Sequence, residues 1–489
     1  MDNSMFLGID LGTSAVKVLL IDDDEQVRAE ASCPVAEGVL EPPHSEQQPA
    51  QWIRSIETAL DEIAATRPGA FGAVQAIGLS GHMHGAVLVD KQGEVLRPCI
   101  MWDDGRSVAQ CKTLTRKADF TGIGGNLVMA GFTAPKLLWV AENEPEIFGK
   151  IHKVLLPKDY VRYWLTGEYW AEMSDASGTL WLDVAARRWS ERLLGACGLT
   201  TDHMARLVEG TEATGTLLPH LANRWGFPKT TIVAGGAGDN AASACGMGVV
   251  ADGASISLGT SGVVFAPTKT FAPQTGQAVH AFCHAAPGTW HQMGVILSAA
   301  SCLEWLADLF GHSVADLLSA LPHTVTRPAT VQFQPHLTGV RTPYNNPLAT
   351  ASFLFLNSDT TKSDLVQATL EGVAFALRDC TAALASAGTR IETAYTVGGG
   401  ARSEAWLQII SNVTGIELAL PENSHNGAAI GAARLAMAAA HGGDISYITR
   451  KVKTLRSVAP EAGMHAAYED AYHSYRAQYK GQTEIATPS

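Results

Sequence analysis

The sequence has no unbroken run of apolar residues long enough for a membrane span, no Cys-x-x-Cys pair and no long basic stretch. The first absence excludes a transmembrane helix of the usual length, about 20 residues. The second leaves eight cysteines, at positions 33, 99, 111, 197, 245, 283, 302 and 380, scattered without a metal or redox spacing. Reduced thiols in a cytoplasmic setting are the simplest expectation. The third accompanies 35 Lys plus Arg against 48 Asp plus Glu, a formal net charge of -13, and argues against nucleic acid and anionic membranes as partners. Met1 to Phe6 carries no basic stretch and leads straight into an apolar strand, which is not the pattern of a signal peptide. What is present is a chain of 489 residues, length for about two to four domains with their own cores.

One hexapeptide occurs twice: Ile9-Asp10-Leu11-Gly12-Thr13-Ser14 and Ile256-Ser257-Leu258-Gly259-Thr260-Ser261. In each copy an apolar run enters a Gly-Thr-Ser turn and an apolar segment leaves it, the pattern of a β-hairpin whose turn exposes backbone N–H groups and hydroxyls. Two such turns facing each other across a cleft suit a polyphosphate held from both sides. Only the first copy carries a carboxylate, Asp10, which fits a Mg–nucleotide because one turn then holds the metal or its waters. An isolated Gly-Thr-Ser turn would mean little; its repetition points to a duplicated chain.

The pattern around the two copies is similar. Phe6 to Asp10, Val16 to Ile21 and Val27 to Pro34 read as three strands, and Trp52, Ile53, Ile56, Leu60 and Ile63 keep helical spacing up to Arg67-Pro68-Gly69. The run Val74 to Leu79 is then a buried strand that delivers His82-Met83-His84. After residue 250 the order recurs less clearly, with helices expected over Ser298 to Phe310, Asp364 to Ala387, Ser403 to Val413 and Ala428 to Ala440 around a strand at Tyr395 to Val397. The expected architecture is two α/β domains, 1–248 and 249–489, with a cleft between them and inserted structure over about 100–220.

Three further segments carry chemistry. Val233 to Asn240 places Asp239 after a short strand and a turn of small residues, with Ala241 to Cys245 opening a helix. Helix capping alone would also explain an Asp there. Thr396 to Ser403 runs from a strand through Gly398, Gly399 and Gly400 into a helix, where glycines let a flat ring or phosphate approach the backbone. Met83-His84 and Trp102-Asp103-Asp104-Gly105-Arg106 follow strand-like segments and together suit a hydroxyl-rich ligand. Two signals are discounted. Gly246 to Ala251 matches a dinucleotide fingerprint, but a strand follows it instead of a helix; His280 and His284 have helical zinc spacing in a segment that reads as strand or loop.

These residues resemble the FGGY carbohydrate kinases, in the superfamily of sugar kinases, heat-shock chaperones and actin. Gly131-Phe132-Thr133-Ala134-Pro135-Lys136 through Asn143 fits the family's first signature throughout, and Phe353, Leu356, Asp364 and Leu370-Glu371-Gly372 fit its second, with Phe355 where Gly is expected. The resemblance implies two RNase H-like ATPase domains of the actin/hexokinase type. Within the family, Met83-His84, the Trp102 segment and Val279 to His284 are most similar to the branch that phosphorylates D-xylulose.

The resemblance further implies the following roles. Asp239 is the base for the C5 hydroxyl; Met83, His84, Trp102, Asp103 and Asn240 contact the sugar; Asp10 holds hydrated Mg²⁺. Thr13, Ser14, Gly259 and Thr260 donate to the phosphates of ATP, Lys17 reaches them, and Gly399, Gly400 and Ala401 face the adenosine. An ordinary Asp pKa near 3.9 is adequate for such a base. A homodimer is the family-based expectation. Val340 stands where relatives have Glu, and Ala351-Ser352 where a Gly-containing turn is common, so another ketopentose or a pentitol stays open as substrate. A chaperone-like ATPase switch is the alternative from another class.

Overall fold

The computed structural model of the chain describes residues 4–36, 38–319, 321–321, 325–422 and 426–485. Two seven-stranded sheets organise it. The first contains β1 (Met5–Leu11), β2 (Ala15–Asp22), β3 (Val27–Pro34), β4 (Val74–Gly81), β5 (Ala213–Thr216) and β6 (Ile232–Ala234) in the order β5-β6-β4-β1-β2-β3, with β7 (Ala237–Gly238) beside the end of β4. The second contains β8 (Ser255–Leu258), β9 (Gly262–Thr268), β10 (His280–Cys283), β11 (Trp290–Ile296), β12 (Thr393–Val397), β13 (Glu417–Pro421) and β14 (Thr454–Val458), in the order β10-β11-β9-β8-β12-β13-β14.

The two orders coincide when β8 is set on β1. Each is antiparallel to the strand that follows it, β2 or β9, and parallel to a later strand, β4 or β12. A second parallel strand and an antiparallel one follow in both: β6 and β5 in the first sheet, β13 and β14 in the second. The repeated hexapeptides therefore end equivalent central strands, and the chain passes from one sheet to the other over residues 248–254, where the composition turns Gly-rich. The segment between β4 and β5 forms small separate sheets and helices, the inserted structure expected there. It packs Phe120, Leu137 and Trp181 with Phe265 and Phe282 of the second sheet.

Side-chain alternation explains how the first sheet is covered. Leu7, Ile9 and Leu11 pack with Trp52, Ile56 and Ile63 of helix α1 (Pro49–Thr66), while Phe6 faces the other way onto Ala429, Ala433 and Met437. Those three belong to an Ala-rich helix from late in the chain, Gly427–Ala440, whose backbone lies directly on β1 and β4. A Cβ at Gly8 would fall 2.1 Å from the Ala429 carbonyl oxygen, and one at Gly78 would fall 1.8 Å from that of Ala432. Only glycine fits at either strand position.

Local details differ from the sequence reading in three places. The helix after β7 begins at Asp239 rather than near Ala241, because Gly238 takes the N-cap position. Gly399 to Arg402 forms one 3-10 turn before the helix Glu404–Thr414. Phe355, in the position where a glycine was expected, has φ of +64° and is half-exposed, so the preference for glycine reflects a left-handed backbone that this chain adopts with a ring turned to solvent. Both discounted motifs are structural: Gly246 lies inside a helix, and His280 lies on β10, its Nδ1 2.9 Å from Asn126 Oδ1.

Candidate active site

The site forms where β1, β4 and β7 end side by side. Asp10, next to last on β1, is paired with Ser80 of β4 and with Lys17 of β2. Ser80 Oγ donates to Asp10 Oδ1 at 2.9 Å. Burial raises the Asp10 pKa, and the Ser80 hydrogen bond and the Lys17 charge hold it down in part. Asp239 opens its helix directly after β7. Its Oδ1 accepts from the backbone N–H of Asn240 at 2.7 Å and from Asn240 Nδ2 at 2.9 Å. Burial pushes its pKa up to about 6, the Asn240 backbone hydrogen bond opposes that, and the Asp10 charge adds to it. The sequence reading allowed an ordinary carboxylate here; desolvation, which composition does not reveal, makes it a stronger base.

Met83 and His84 follow β4. The Met83 side chain lies over Gly238, the residue before Asp239: a Cβ at Gly238 would fall 3.0 Å from Met83 Cγ and 3.1 Å from Sδ. The His84 ring packs on Phe132, centroids 4.5 Å apart, and its Nδ1 lies 2.8 Å from the Gly178 carbonyl oxygen. Burial drives its pKa down to about 3, so the ring is neutral near pH 7. With Nδ1–H donating to Gly178, Nε2 carries the lone pair and can accept from a hydroxyl.

The two turns are held from behind. Gln47 Nε2 donates to the Thr13 carbonyl at 2.9 Å, and the Ser14 carbonyl accepts from Val35 N at 2.9 Å. Trp102 Nε1 donates to Thr13 Oγ1 at 3.1 Å, which leaves the Thr13 hydroxyl hydrogen to donate elsewhere. The Gly259 and Thr260 carbonyls accept from Ala300 N and Ala299 N at 2.9 and 2.8 Å. Both turns thus keep their carbonyls engaged with protein. Asp103 is exposed, whereas its neighbour Asp104 is buried, paired with Arg106 at 2.7 Å and accepting from Ser45 N at 2.7 Å, so Asp104 braces the loop.

Between the sheets lies a cavity of about 570 Å³ lined by Asp10, Met247, Ser257, Gly399 and Ala401 among others. Gly399 and Gly400 differ there. A Cβ at Gly399 would meet nothing within 4 Å, while one at Gly400 would fall 2.7 Å from Trp406 Cζ3 and 2.9 Å from Leu258 Cβ. Gly399 and Ala401 line the cavity and Gly400 packs behind it. Lys17 lines a separate hollow of about 340 Å³ with Glu30 and Asn426. Among the described residues no group of three or more His, Cys, Asp or Glu is placed to hold a metal.

Several contributors escaped the sequence reading. Ser80 gave no signal beyond its place at a strand end. Thr133 and Lys136 lay in plain sight within a signature that carries no stated role, and both donate to the His84 carbonyl. Arg341, whose charge helps depress His84 and His280, sits in the segment singled out only for Val340.

Residues 5–246 match the N-terminal domain, and residues 254–440 the C-terminal domain, of the FGGY family of carbohydrate kinases. The chain is 45% identical over 480 residues to the curated xylulose kinase of Escherichia coli K12, covering 97% of this chain and 99% of that one. It superposes with a TM-score of 0.96 on a solved "xyloylose kinase" from Brucella ovis at 51% identity, covering 98% of this chain and 100% of that one. A xylulose kinase structure from Rhodospirillum rubrum gives 0.91 at 27% identity over 98% and 99%.

Proposed function

The chain belongs to the FGGY family of carbohydrate kinases, and from that premise we propose that it transfers the γ-phosphoryl group of ATP to the C5 hydroxyl of D-xylulose, giving D-xylulose 5-phosphate. The observation that carries the reading is the position of Asp239, with Met83 packed on the residue before it and the Asp10 charge raising its pKa. A base with a pKa of about 6 is ionised at pH 7 and strong enough to take the hydroxyl proton as the phosphoryl group arrives. Asn240 fixes the carboxylate by two hydrogen bonds. Neutral His84 accepts a sugar hydroxyl at Nε2, Met83 packs on the carbon chain, and Trp102 and Asp103 contact the sugar from the loop above.

On the nucleotide side, the Thr13, Ser14, Gly259 and Thr260 turns donate to phosphate oxygens, and Gly399 and Ala401 face the adenosine. Gly400 shapes that wall by packing, and Lys17 acts on the phosphates through its field at Asp10. Asp10 and Glu422 are the carboxylates lining the cavity, and with no cage of three or more ligands among the described residues Asp10 fits a Mg²⁺ that keeps most of its waters and arrives with ATP. Bound at Asp10, Mg²⁺ supplies charge neutralisation for the β- and γ-phosphates. Residues 1–248 provide the sugar pocket and base, and residues 249–489 most of the nucleotide wall. All eight cysteines are free thiols, which supports a reducing, cytoplasmic setting. A homodimer is part of the same proposal and is checked by sedimentation.

The test is ADP release with Mg–ATP across D-xylulose, D-ribulose, L-ribulose, L-xylulose, glycerol, gluconate and no acceptor, compared by kcat/KM. D-Xylulose is expected to exceed every other acceptor at least tenfold. Release that is equal with and without acceptor would reject the reading.

A further inference from the structure

Two side chains of one helix converge on a single atom of the sugar pocket. Helix Thr133–Asn143 begins just after Phe132. Lys136 Nζ donates to the His84 carbonyl oxygen at 2.9 Å, and Thr133 Oγ1 donates to the same oxygen at 3.1 Å. His84 has φ of +70°, the left-handed region that a non-glycine residue adopts only when its surroundings hold it there. Its carbonyl is thereby turned out of the strand direction and needs donors from elsewhere. Phe132 meets the other end of the residue, with its ring centroid 4.5 Å from that of the imidazole. One short segment, 132–136, therefore grips His84 at both the carbonyl and the ring.

Lys136 is an expensive way to fill space. It is fully buried, and among the described residues no carboxylate lies within ion-pair distance of it. A buried ammonium without a counter-ion is unfavourable, and burial pushes its pKa down to about 7. A methionine would occupy the same volume without that penalty but would leave the His84 carbonyl with only the Thr133 hydroxyl. The convergent hydrogen bonds account for a lysine here; packing does not.

We propose that Lys136 and Thr133 are positioning residues for the sugar: by holding the His84 carbonyl they lock its left-handed backbone and aim Nε2 of the ring into the pocket. The inference rests on the reading of His84 as a sugar contact. Neither residue touches sugar or ATP in this account, and both act through His84.

The test is a pair of double-mutant cycles in the full-length enzyme, with D-xylulose varied at saturating Mg–ATP. His84→Ala is expected to raise KM for D-xylulose about tenfold or more and to leave KM for ATP within about twofold. Lys136→Met is expected to lower kcat/KM for D-xylulose about 10- to 100-fold, and the near-isosteric Thr133→Val about 3- to 10-fold, with both effects vanishing in the His84→Ala background. Effects that persist undiminished beside a damaging His84→Ala overturn the positioning role alone. A His84→Ala enzyme with unchanged KM for the sugar overturns the reading of His84 and the positioning role together. A merely structural Lys136 would lower the melting temperature and leave KM for the sugar unmoved. Thr133→Val keeps the side-chain volume, so its cycle decides the matter if Lys136→Met does not fold.

Discussion

Asn240 donates twice to one carboxylate oxygen of Asp239, through its backbone N–H at 2.7 Å and its Nδ2 at 2.9 Å, and among the described residues the second oxygen accepts no protein hydrogen bond. The carboxylate is oriented by one oxygen and free to react through the other. Burial nevertheless keeps its pKa at about 6. In the proposed role of base Asp239 acts deprotonated, so kcat/KM for the sugar should fall about tenfold per pH unit below that value and be insensitive to this group above it. Asn240→Ala removes one donor to the ionised form and should move the acid limb upward. A limb at the ordinary carboxylate range near 4 in both proteins would show that Asp239 is not desolvated as described.

Asp239→Asn keeps an oxygen for the Asn240 donors and removes the proton acceptor. Turnover should drop about 10²- to 10⁴-fold with a modest change in sugar affinity, measured by steady-state kinetics and by sugar binding. Turnover within a few fold of the parent enzyme would reject Asp239 as the base.

Asp10→Asn has two separable consequences. It should raise the Mg²⁺ concentration needed for half-maximal activity, because the cavity loses a carboxylate that can hold the ion's waters. It should also lower the Asp239 pKa, since the Asp10 charge is one of the causes that raise it. Proton uptake on sugar binding without nucleotide reads the second effect independently of metal. An acid limb shifted upward would contradict the stated coupling.

The hairpins, the helix over Trp52 to Ile63 and the buried strand before Met83 were legible because each carries a strong local period or a repeated turn. The duplication pointed to two similar domains, while the order of strands within each sheet came from the structure. What stayed hidden depends on distant segments meeting: the Ala-rich helix Gly427–Ala440 comes from the second half of the chain yet covers β1 and β4 of the first sheet, and only the glycines at 8 and 78 hint at it. The site shows the same division. Asp10, Asp239 and Met83-His84 stand out by motif and resemblance, whereas Ser80, Thr133 and Lys136 act through hydrogen bonds that no spacing encodes.

Gly399 and Gly400 are adjacent and should respond oppositely to alanine. Gly399→Ala adds a methyl to open space beside the cavity, so stability should hold within about 0.5 kcal/mol while KM for ATP rises. Gly400→Ala drives a Cβ to 2.7 Å from Trp406, overpacking that costs about 1–3 kcal/mol. Melting temperature and KM for ATP, measured on both variants, separate the two roles; equal effects on both would erase the distinction.

A buried carboxylate that no proposed catalytic or binding role uses should govern part of the pH dependence of stability. Glu371, on the helix Lys362–Ser386, accepts from Tyr468 Oη and Gln367 Nε2 at 2.8 Å each, both at Oε1, and from Ala329 N at 3.1 Å at Oε2. Burial pushes its pKa from 4.5 up to about 7, against the pull of those hydrogen bonds. A carboxyl whose pKa is raised on folding binds its proton more tightly in the folded state. Its contribution is therefore fully present below the unfolded pKa and is lost as the pH rises through 4.5 toward about 7. By linkage the loss is on the order of 3 kcal/mol. Glu371→Gln places an oxygen where Oε1 accepts from Tyr468 and Gln367 and removes the titration. Relative to the parent protein, this variant should gain stability between pH 5 and pH 8, read from urea midpoints at a series of pH values. A difference between the two proteins that stays constant over that range would show that Glu371 does not titrate there.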